Sequence, residues 1–552
     1  VHLNPLQPIR NLIRFTEIVT VLIRNGFREF LEQIETPPTW LNRHTPLRVE
    51  RLNVWQRIRV TAEELGPTFV KFAQVLSTRG DVLPEPLIRE LKLLRNKVKP
   101  VPWEKIRPVL ERELKGPVSE IFAEFNPEPI AAGSIAQVYK ARLHSGEWVA
   151  VKTQRPNLRK AMKSDLEIIH WFAQQMQVHL PELRAYDLPT VVDETGENML
   201  LELDFTIEAG NSVYFNSTNP YPQEVFAPIV YDAFTTPRVL VLAWVDGVDP
   251  SQIDLPMPER SRLAAVGGRS VFHQIMMAGF FHSDPHSGNL LITPDARIAL
   301  IDWGQVGQLT RHMRYFLADL FAAIGEDDSE KVVRVVLANA LTKRRVDPVR
   351  LEKDVRMMLR KYTEEEKGRE IGRIILDLLY VFGSNGIRLA RDYSMLAKAV
   401  LAIEEVGETL DPQFDIRSIS DPFLKDLNME RWHPHTLARL LYWDWRSALR
   451  HAREVPGTML RLLRNLEEGE FSINFVHKGL DGLRTAFEHG VNRLVLAIII
   501  AATLLSSSLI VSRVSRSELN TFPYVLGKWG FVAAMLLGFW LLYETIRHGR
   551  KK

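Results

Sequence analysis

The chain has 552 residues, 46% of them hydrophobic and 25% charged, which is enough for a large buried core divided among about two to four domains and excludes a disordered tail. Lys and Arg total 70 against 67 Asp and Glu, and the formal charge of +3 supplies no global field for nucleic acid, so no nucleic-acid partner is expected. Cysteine is absent, which excludes disulfides, thiol nucleophiles and thiolate metal sites and is compatible with a reducing compartment.

Val1 is not followed by an uninterrupted apolar run, and a cleavable secretory signal is not expected. Residues 8–34 place Ile9, Leu12, Ile13, Ile18, Val19, Leu22, Ile23, Phe27, Phe30 and Leu31 at helical spacing, with Arg10, Arg14, Arg24 and Arg28 between them. That pattern predicts one basic amphipathic helix, packed on its own domain in preference to a membrane surface, and ended by Pro37-Pro38. A second helix is predicted after Gly66-Pro67 and is stopped by Arg79-Gly80-Asp81. On it Lys71, Gln74 and Thr78 share one face. Residues 86–97 form a further amphipathic helix, so helices precede the first strand.

Strands are expected from Ile121 onward. Residues 129–143 and 148–152 read as strand, tight loop, strand, turn and strand. A kinase places a glycine-rich loop over the nucleotide phosphates at this point, followed by a lysine on the next strand. Here the loop is Ala131, Ala132, Gly133, Ser134, Ile135 and Ala136, with methyl groups at two of the three glycine places, and the lysine is Lys152. Lys152 needs a carboxylate to hold it against phosphates, and spacing leaves Glu194, Glu202 and Glu208 open as that partner. Residues 238–247 read as the last strand of this lobe running into a hinge.

The densest chemistry follows. In His282-Ser-Asp284-Pro-His286-Ser-Gly-Asn289 an Asp and an Asn stand five positions apart, and Asp302-Trp303-Gly304 closes an apolar run. Phosphoryl transfer needs a carboxylate near the incoming nucleophile and hard oxygen ligands for Mg2+. Asp284 suits the first role, and Asn289 and Asp302 the second. A hairpin turning at Pro294-Asp295 would set that Asn and that Asp on neighbouring strand ends. From Thr310 to Glu488 the pattern is helical, with a turn at Gly383-Ser-Asn-Gly386 and no further catalytic constellation. Lys343-Arg-Arg and Glu364-Glu-Glu-Lys367 read as solvated faces, and His433-Pro-His435 as a loop or core feature.

Residues 494–511 and 529–543 are charge-free, and the second run has aromatic ends at Trp529, Trp540 and Tyr543. They predict a transmembrane hairpin with both outer ends in the cytoplasm.

The pieces Lys71-Phe-Ala-Gln74, Ala131 to Gln137, Glu202-Leu-Asp204 with Glu208-Ala209 and Asn211, His282 to Asn289, and Asp302-Trp-Gly304 together resemble the UbiB family of atypical kinases. The resemblance implies an α+β, bilobal protein kinase-like fold, with an amino-terminal helical extension over the place where a kinase accepts a protein substrate. It implies that Lys71 and Gln74 sit beside the nucleotide, that Glu202 and Asp204 face them, and that Glu208 is the partner of Lys152. Ala73 stands where the family motif has Gly, Gly133 where the loop is often alanine, and Ala243 where a Glu is usual before the hinge. The Gly133 change is expected to loosen the nucleotide loop.

The expected organisation is an amphipathic helix in 1–45, the helical extension in 46–115, a small lobe in 116–245, a helical large lobe in 246–488 and the hairpin in 489–552. The expected function is a membrane-anchored ATPase or atypical kinase that binds ATP and Mg2+ and supports isoprenoid quinone or related prenyl-lipid biosynthesis. Membrane lipid, prenylated quinone precursors, quinone-biosynthesis enzymes and a second copy of the chain are the implied partners. A true small-molecule or protein kinase and a non-catalytic nucleotide-sensing scaffold are the alternatives.

Overall fold

The computed structural model describes residues 7–33, 52–77, 79, 83–94, 99–180, 187–341, 346–362, 370–432, 481–513 and 522–549. Pro37-Pro38, Thr78, Gly80-Asp81, Lys343 to Arg345, Glu364 to Lys367 and His433 to His435 lie outside the described residues. The chain divides into two compact units, 1–440 and 441–552.

The amino-terminal segment forms two helices, α1 (Gln7–Arg24) and α2 (Arg28–Gln33), where one was expected. Gly26 separates them with a φ of 81°, a left-handed conformation that glycine adopts without a Cβ penalty. Ile18, Val19, Ile23 and Leu31 are buried, and Phe15 packs on Trp171 and Phe172, so the apolar stripe faces protein from Phe15 onward, while Leu12 and Ile13 are exposed. Arg14 pairs with Asp165 at 2.8 Å. Two more helices follow, α3 (Val54–Leu65), opened by an Asn53–Gln56 capping box, and α4 (Pro67–Leu76). Pro67 starts α4 because Gly66, with a φ of 98°, turns the chain sharply before it. Phe72 of α4 is buried against Met162, Leu166, Val192 and Met199. Helices α5 (Glu85–Leu91) and α6 (Trp103–Leu114) complete the extension.

The small lobe is an antiparallel sheet of β1 (Phe122–Phe125), β2 (Ala131–Ala132), β3 (Ala136–Leu143), β4 (Trp148–Gln154) and β6 (Val239–Ala243), ordered β1-β3-β4-β6 with β2 beside β3. Its inner face, Tyr139, Ala141, Val149, Val151, Val239 and Val241, packs on Ile106 and Leu110 of α6. Helices α7 (Leu158–His179), α8 (Leu188–Leu201) and α9 (Phe205–Thr218) connect β4 to the short β5 (Val225–Phe226).

The large lobe opens with α10 (Met257–Phe272), continued by a π-helical turn (His273–Ala278). Two small sheets follow: β7 (Phe280–His282) with β10 (Val306–Gln308), and β5 with β9 (Ile298–Leu300) and β8 (Leu290–Ile292). The expected hairpin is β8–β9, paired Leu290 to Leu300. Helices α11 (Arg311–Gly325), α12 (Ser329–Asn339), α13 (Pro348–Leu359), α14 (Ile371–Ser384), α15 (Arg391–Leu410) and α16 (Ile416–Trp432) bury the main core.

Glu404 of α15 is 6% exposed and accepts two contacts from the Gly372 N–H, at 3.0 and 3.2 Å, in the first turn of α14. Burial pushes its carboxyl up to about 8, from 4.5. The folded state thus holds this proton more tightly than the unfolded chain, and the stabilisation is complete below about pH 4.5 and lost as pH rises through about 8. Glu404→Gln is expected to flatten that slope and to raise stability at pH 9 by roughly a few kcal/mol, read from denaturant melts at several pH values.

In the carboxy-terminal unit α17 (Asp481–Arg513) and α18 (Phe522–Gly549) pack side by side, with Ser507 and Ala534 buried between them. Gly530 lets them approach: a Cβ there would lie 2.7 Å from Ser507 Oγ. Leu494, Ile498, Leu505, Leu536 and Phe539 are exposed. Among the described residues no helix is long and apolar enough to cross a membrane. The expected hairpin is thus met as a packed helical pair with an exposed apolar face, and its crossing of a membrane is not supported.

Candidate functional site

Strand β4 alternates its side chains, so the burial of Val149 and Val151 in the small-lobe core turns Lys152 the other way, toward the large lobe. There its Nζ donates to Glu208 Oε1 and Oε2 at 2.7 and 2.9 Å and to Asp302 Oδ2 at 3.2 Å. Among the three carboxylates that spacing left open, the tertiary fold selects Glu208. Glu202 takes Lys71 at 2.6 Å, and Glu194 takes Arg388 at 2.8 Å. Helix α8 ends just before Glu202, and Asp204 caps the new helix α9 by accepting from the Thr206 N–H at 3.1 Å, which puts Glu208 in its first turn. Burial pushes the Glu208 carboxyl up to about 7, with Lys152 opposing and Asp302 adding to the rise. Enclosure works against ionisation of Asp302 as well, yet Lys152, the Gly304 N–H at 2.9 Å and His282 hold it well below the usual carboxylate range. The same enclosure opposes charge on Lys152, and the two carboxylates more than offset it, raising its pKa.

The large-lobe groups are set by short strands. Burial lowers His282 to about 4, so its ring is neutral, and Nδ1 accepts from the Asp284 N–H at 3.0 Å. Asn289 Nδ2 donates to the Asp284 carbonyl at 3.1 Å, and the Ile301 N–H donates to the Asn289 carbonyl at 3.0 Å, which places Asn289 beside Asp302 at the open end of the hairpin. Trp303 is fully buried, stacks on Phe215 at 4.4 Å and donates from Nε1 to the Leu300 carbonyl. Asn211 of α9 donates to the Trp303 carbonyl at 3.0 Å, tying that helix to the same turn.

Among the described residues no group of three or more His, Cys, Asp or Glu could hold a metal unaided. Asn289 and Asp302 are two hard oxygen donors, the set Mg2+ uses when substrate phosphates and water complete its shell. The donor chemistry fits.

The loop from Ala131 to Ala136 is a tight β2–β3 connection, with the Gly133 N–H donating to the Ala136 carbonyl at 2.9 Å and Arg155 donating to the Gly133 carbonyl at 2.9 Å. Gly133 is not among the glycines at positive φ, and a Cβ there would meet only the Ala136 carbonyl, at 3.7 Å. Glycine is therefore not required by the backbone, and the loop is pinned by these two hydrogen bonds where a looser loop was expected. Ala132 pairs with Gln137, and the Arg155 N–H donates to the Ile135 carbonyl, so Ser134 lies at the tip of this turn. Ala73 lies buried in the interior of α4, a setting that favours alanine over glycine.

Lys71 and Gln74 lie on one face of α4 and line a pocket of about 220 Å3 together with Asp284. Gln74 donates to the Leu94 carbonyl at 3.1 Å. Asp284 pairs with Lys398 of α15 at 2.7 Å. Behind α9 lies a larger cavity of about 990 Å3, lined by Glu202, Asp204 and Glu208 as well as by Tyr214 and Phe280. Lys398 and Arg391, which lines both spaces, were missed by sequence reasoning. They sit in a stretch read only as helical, and no motif marks a lysine that reaches Asp284 from 114 positions away (398 less 284).

Residues 93–336 match the model of the ABC1 atypical kinase-like domain, and residues 478–547 match the ABC1/UbiB kinase-like C-terminal domain. A Clostridium pasteurianum chain described as an uncharacterized protein in the hydrogenase 1 5' region is 30% identical over 98% of this chain and 99% of its own length. A probable protein kinase UbiB of Xanthomonas oryzae is 31% identical over 80% of this chain and 82% of that one. The solved structure titled as the complex of Rv3197 with erythromycin, from Mycobacterium tuberculosis, covers 63% of this chain and 90% of that one, with 25% identity and a TM-score of 0.46.

Proposed function

The chain belongs to the ABC1/UbiB family of atypical kinase-like proteins, and from that premise we propose that it binds Mg-ATP between its lobes and either hydrolyses it or passes the terminal phosphoryl group to a small acceptor. The observation that carries this reading is Lys152 held by Glu208 and reaching Asp302, with Asn289 at the adjacent strand end. In this reading Lys152 orients the alpha and beta phosphates and the Ala131–Ala136 loop covers them. Asn289 and Asp302 hold the Mg2+, which draws charge from the transferring phosphoryl group when bound. Asp284 orients water or the acceptor hydroxyl.

The size of the space over Asp284 favours a small acceptor over a protein. At about 220 Å3 and bounded on one side by Lys71 and Gln74, the part next to Asp284 suits a small acceptor group. The acceptor class, prenylated quinone precursors, and action beside quinone-biosynthesis enzymes rest on the motif resemblance and on the UbiB name of the relatives. Attachment to a cytoplasmic membrane surface is supported by the exposed apolar face of the α17–α18 pair and the charge-free runs in its sequence.

The test is ATP turnover by the purified full-length protein in anionic liposomes, with and without a phenolic prenyl compound. Lipid-stimulated release of phosphate supports hydrolysis, and a phosphorylated product supports transfer. Tight Mg-ATP binding with no turnover under any condition would overturn both and leave a nucleotide-sensing scaffold, a role consistent with Asp284 being already engaged by Lys398.

A further inference from the structure

The pocket over Asp284 has an uneven charge balance. Lys71, Lys92, Arg391 and Lys398 line it, and Asp284 is the one carboxylate among the lining residues. Lys71 is answered by Glu202 and Lys398 by Asp284. The Arg391 side chain has neither hydrogen bond nor ion pair among the described residues, and the Lys92 side chain, exposed at the rim, has none either. Burial depresses the Arg391 pKa, and the neighbouring carboxylates of Asp392, Glu202 and Glu194 offset that only in part, so the guanidinium is left short of counter-charge. These cations come from three separate places in the chain, α4, the end of α5 and α15, and their donors converge on one volume. Convergent Arg and Lys donors suit a compact anion with several acceptor oxygens and more than one charge. The volume of about 220 Å3 leaves room for a phosphate group.

Val75, Gln305, Arg391 and Met395 line both this pocket and the cavity of about 990 Å3, so the two spaces meet at Arg391. The walls of the larger one include Met199, Ile207, Tyr214 and Phe280. Its carboxylates are engaged: Glu202 by Lys71, Glu208 by Lys152, and Asp204 and Asp392 by the N–H groups of Thr206 and Gln308.

We propose that the pocket over Asp284 is a phosphate-binding subsite, separate from the nucleotide cleft at Lys152, in which Arg391, Lys398 and Lys92 hold a phosphate group. That group is either the head of a small amphipathic molecule whose apolar body lies in the larger cavity or the phosphate released from ATP. The assignment rests on the reading of Asp284 as the acceptor-side carboxylate. A phosphate there competes with Asp284 for Lys398.

The test is calorimetric binding of inorganic phosphate and of phenyl phosphate to the full-length protein without nucleotide, with Mg-ADP titrated into separate portions of each preparation. Arg391→Gln is expected to weaken phosphate binding about tenfold or more and Lys92→Gln about threefold, each being the loss of one charged donor. Lys152→Met is expected to lose Mg-ADP and keep phosphate. Phenyl phosphate binding tighter than inorganic phosphate identifies an amphipathic head group, and the reverse order identifies the released product. The proposal is overturned if the wild type binds neither probe, or if Arg391→Gln binds both as the wild type does. Should Arg391→Gln fail to fold, unchanged binding by Lys92→Gln overturns it instead. Failure of the nucleotide reading shows separately, as absent Mg-ADP binding by the wild type.

Discussion

Asp302→Asn is expected to lower Mg2+-dependent ATP turnover by roughly 10²- to 10³-fold, the rate equivalent of about 2.7–4.1 kcal/mol, through loss of one charged donor at the metal-binding position. Asparagine keeps the size of the side chain and can still accept from the Gly304 N–H, and Lys152 keeps both contacts to Glu208, so the lobes stay assembled. What disappears is the charge that would hold Mg2+ in the proposed site and that opposes Lys152 at 3.2 Å. The effect therefore falls on metal-dependent nucleotide binding and turnover, with little change in melting temperature. Phosphate release measured across a Mg2+ titration checks it, and wild-type turnover in the variant would remove Asp302 from the metal site.

Trp303→Ala is expected to destabilise the amino-terminal unit by roughly 3–5 kcal/mol, as deletion of a large buried aromatic does. Trp303 is fully buried, stacked between Phe215 and Phe280, and its carbonyl receives the Asn211 amide. Removing the ring leaves a cavity under the turn that carries Asp302 and loosens the tie to α9, which carries Glu208. Stability and nucleotide affinity should fall together. Trp303→Phe, which retains a ring against Phe215, should recover most of both. Denaturant unfolding and Mg-ADP titration of the two variants provide the measurement, and a stable Trp303→Ala protein that binds nucleotide normally would refute the coupling.

Much of the site was legible because its parts are local. The hairpin that sets Asn289 beside Asp302 is encoded by two apolar triplets and a turn, and the direction of Lys152 by strand alternation over seven residues. The break at Gly26 was missed because the helical apolar spacing continues across it, and a left-handed glycine leaves no trace in periodicity. The apolar runs near the carboxy terminus were read correctly as helices, but hydropathy alone does not separate a membrane crossing from a helical pair.

By itself, the sequence determined the kinase-like order of elements, the catalytic-type loop and the family, since each is written in residues close together in the chain. The tertiary structure alone decided which of Glu194, Glu202 and Glu208 meets Lys152, that Glu202 instead answers Lys71, and that Lys398 and Arg391 reach the space around Asp284. The physical reason is the same in each case. A lysine in need of a counter-charge accepts any carboxylate within reach, and reach is set by where helices end and pack, which spacing along the chain does not record.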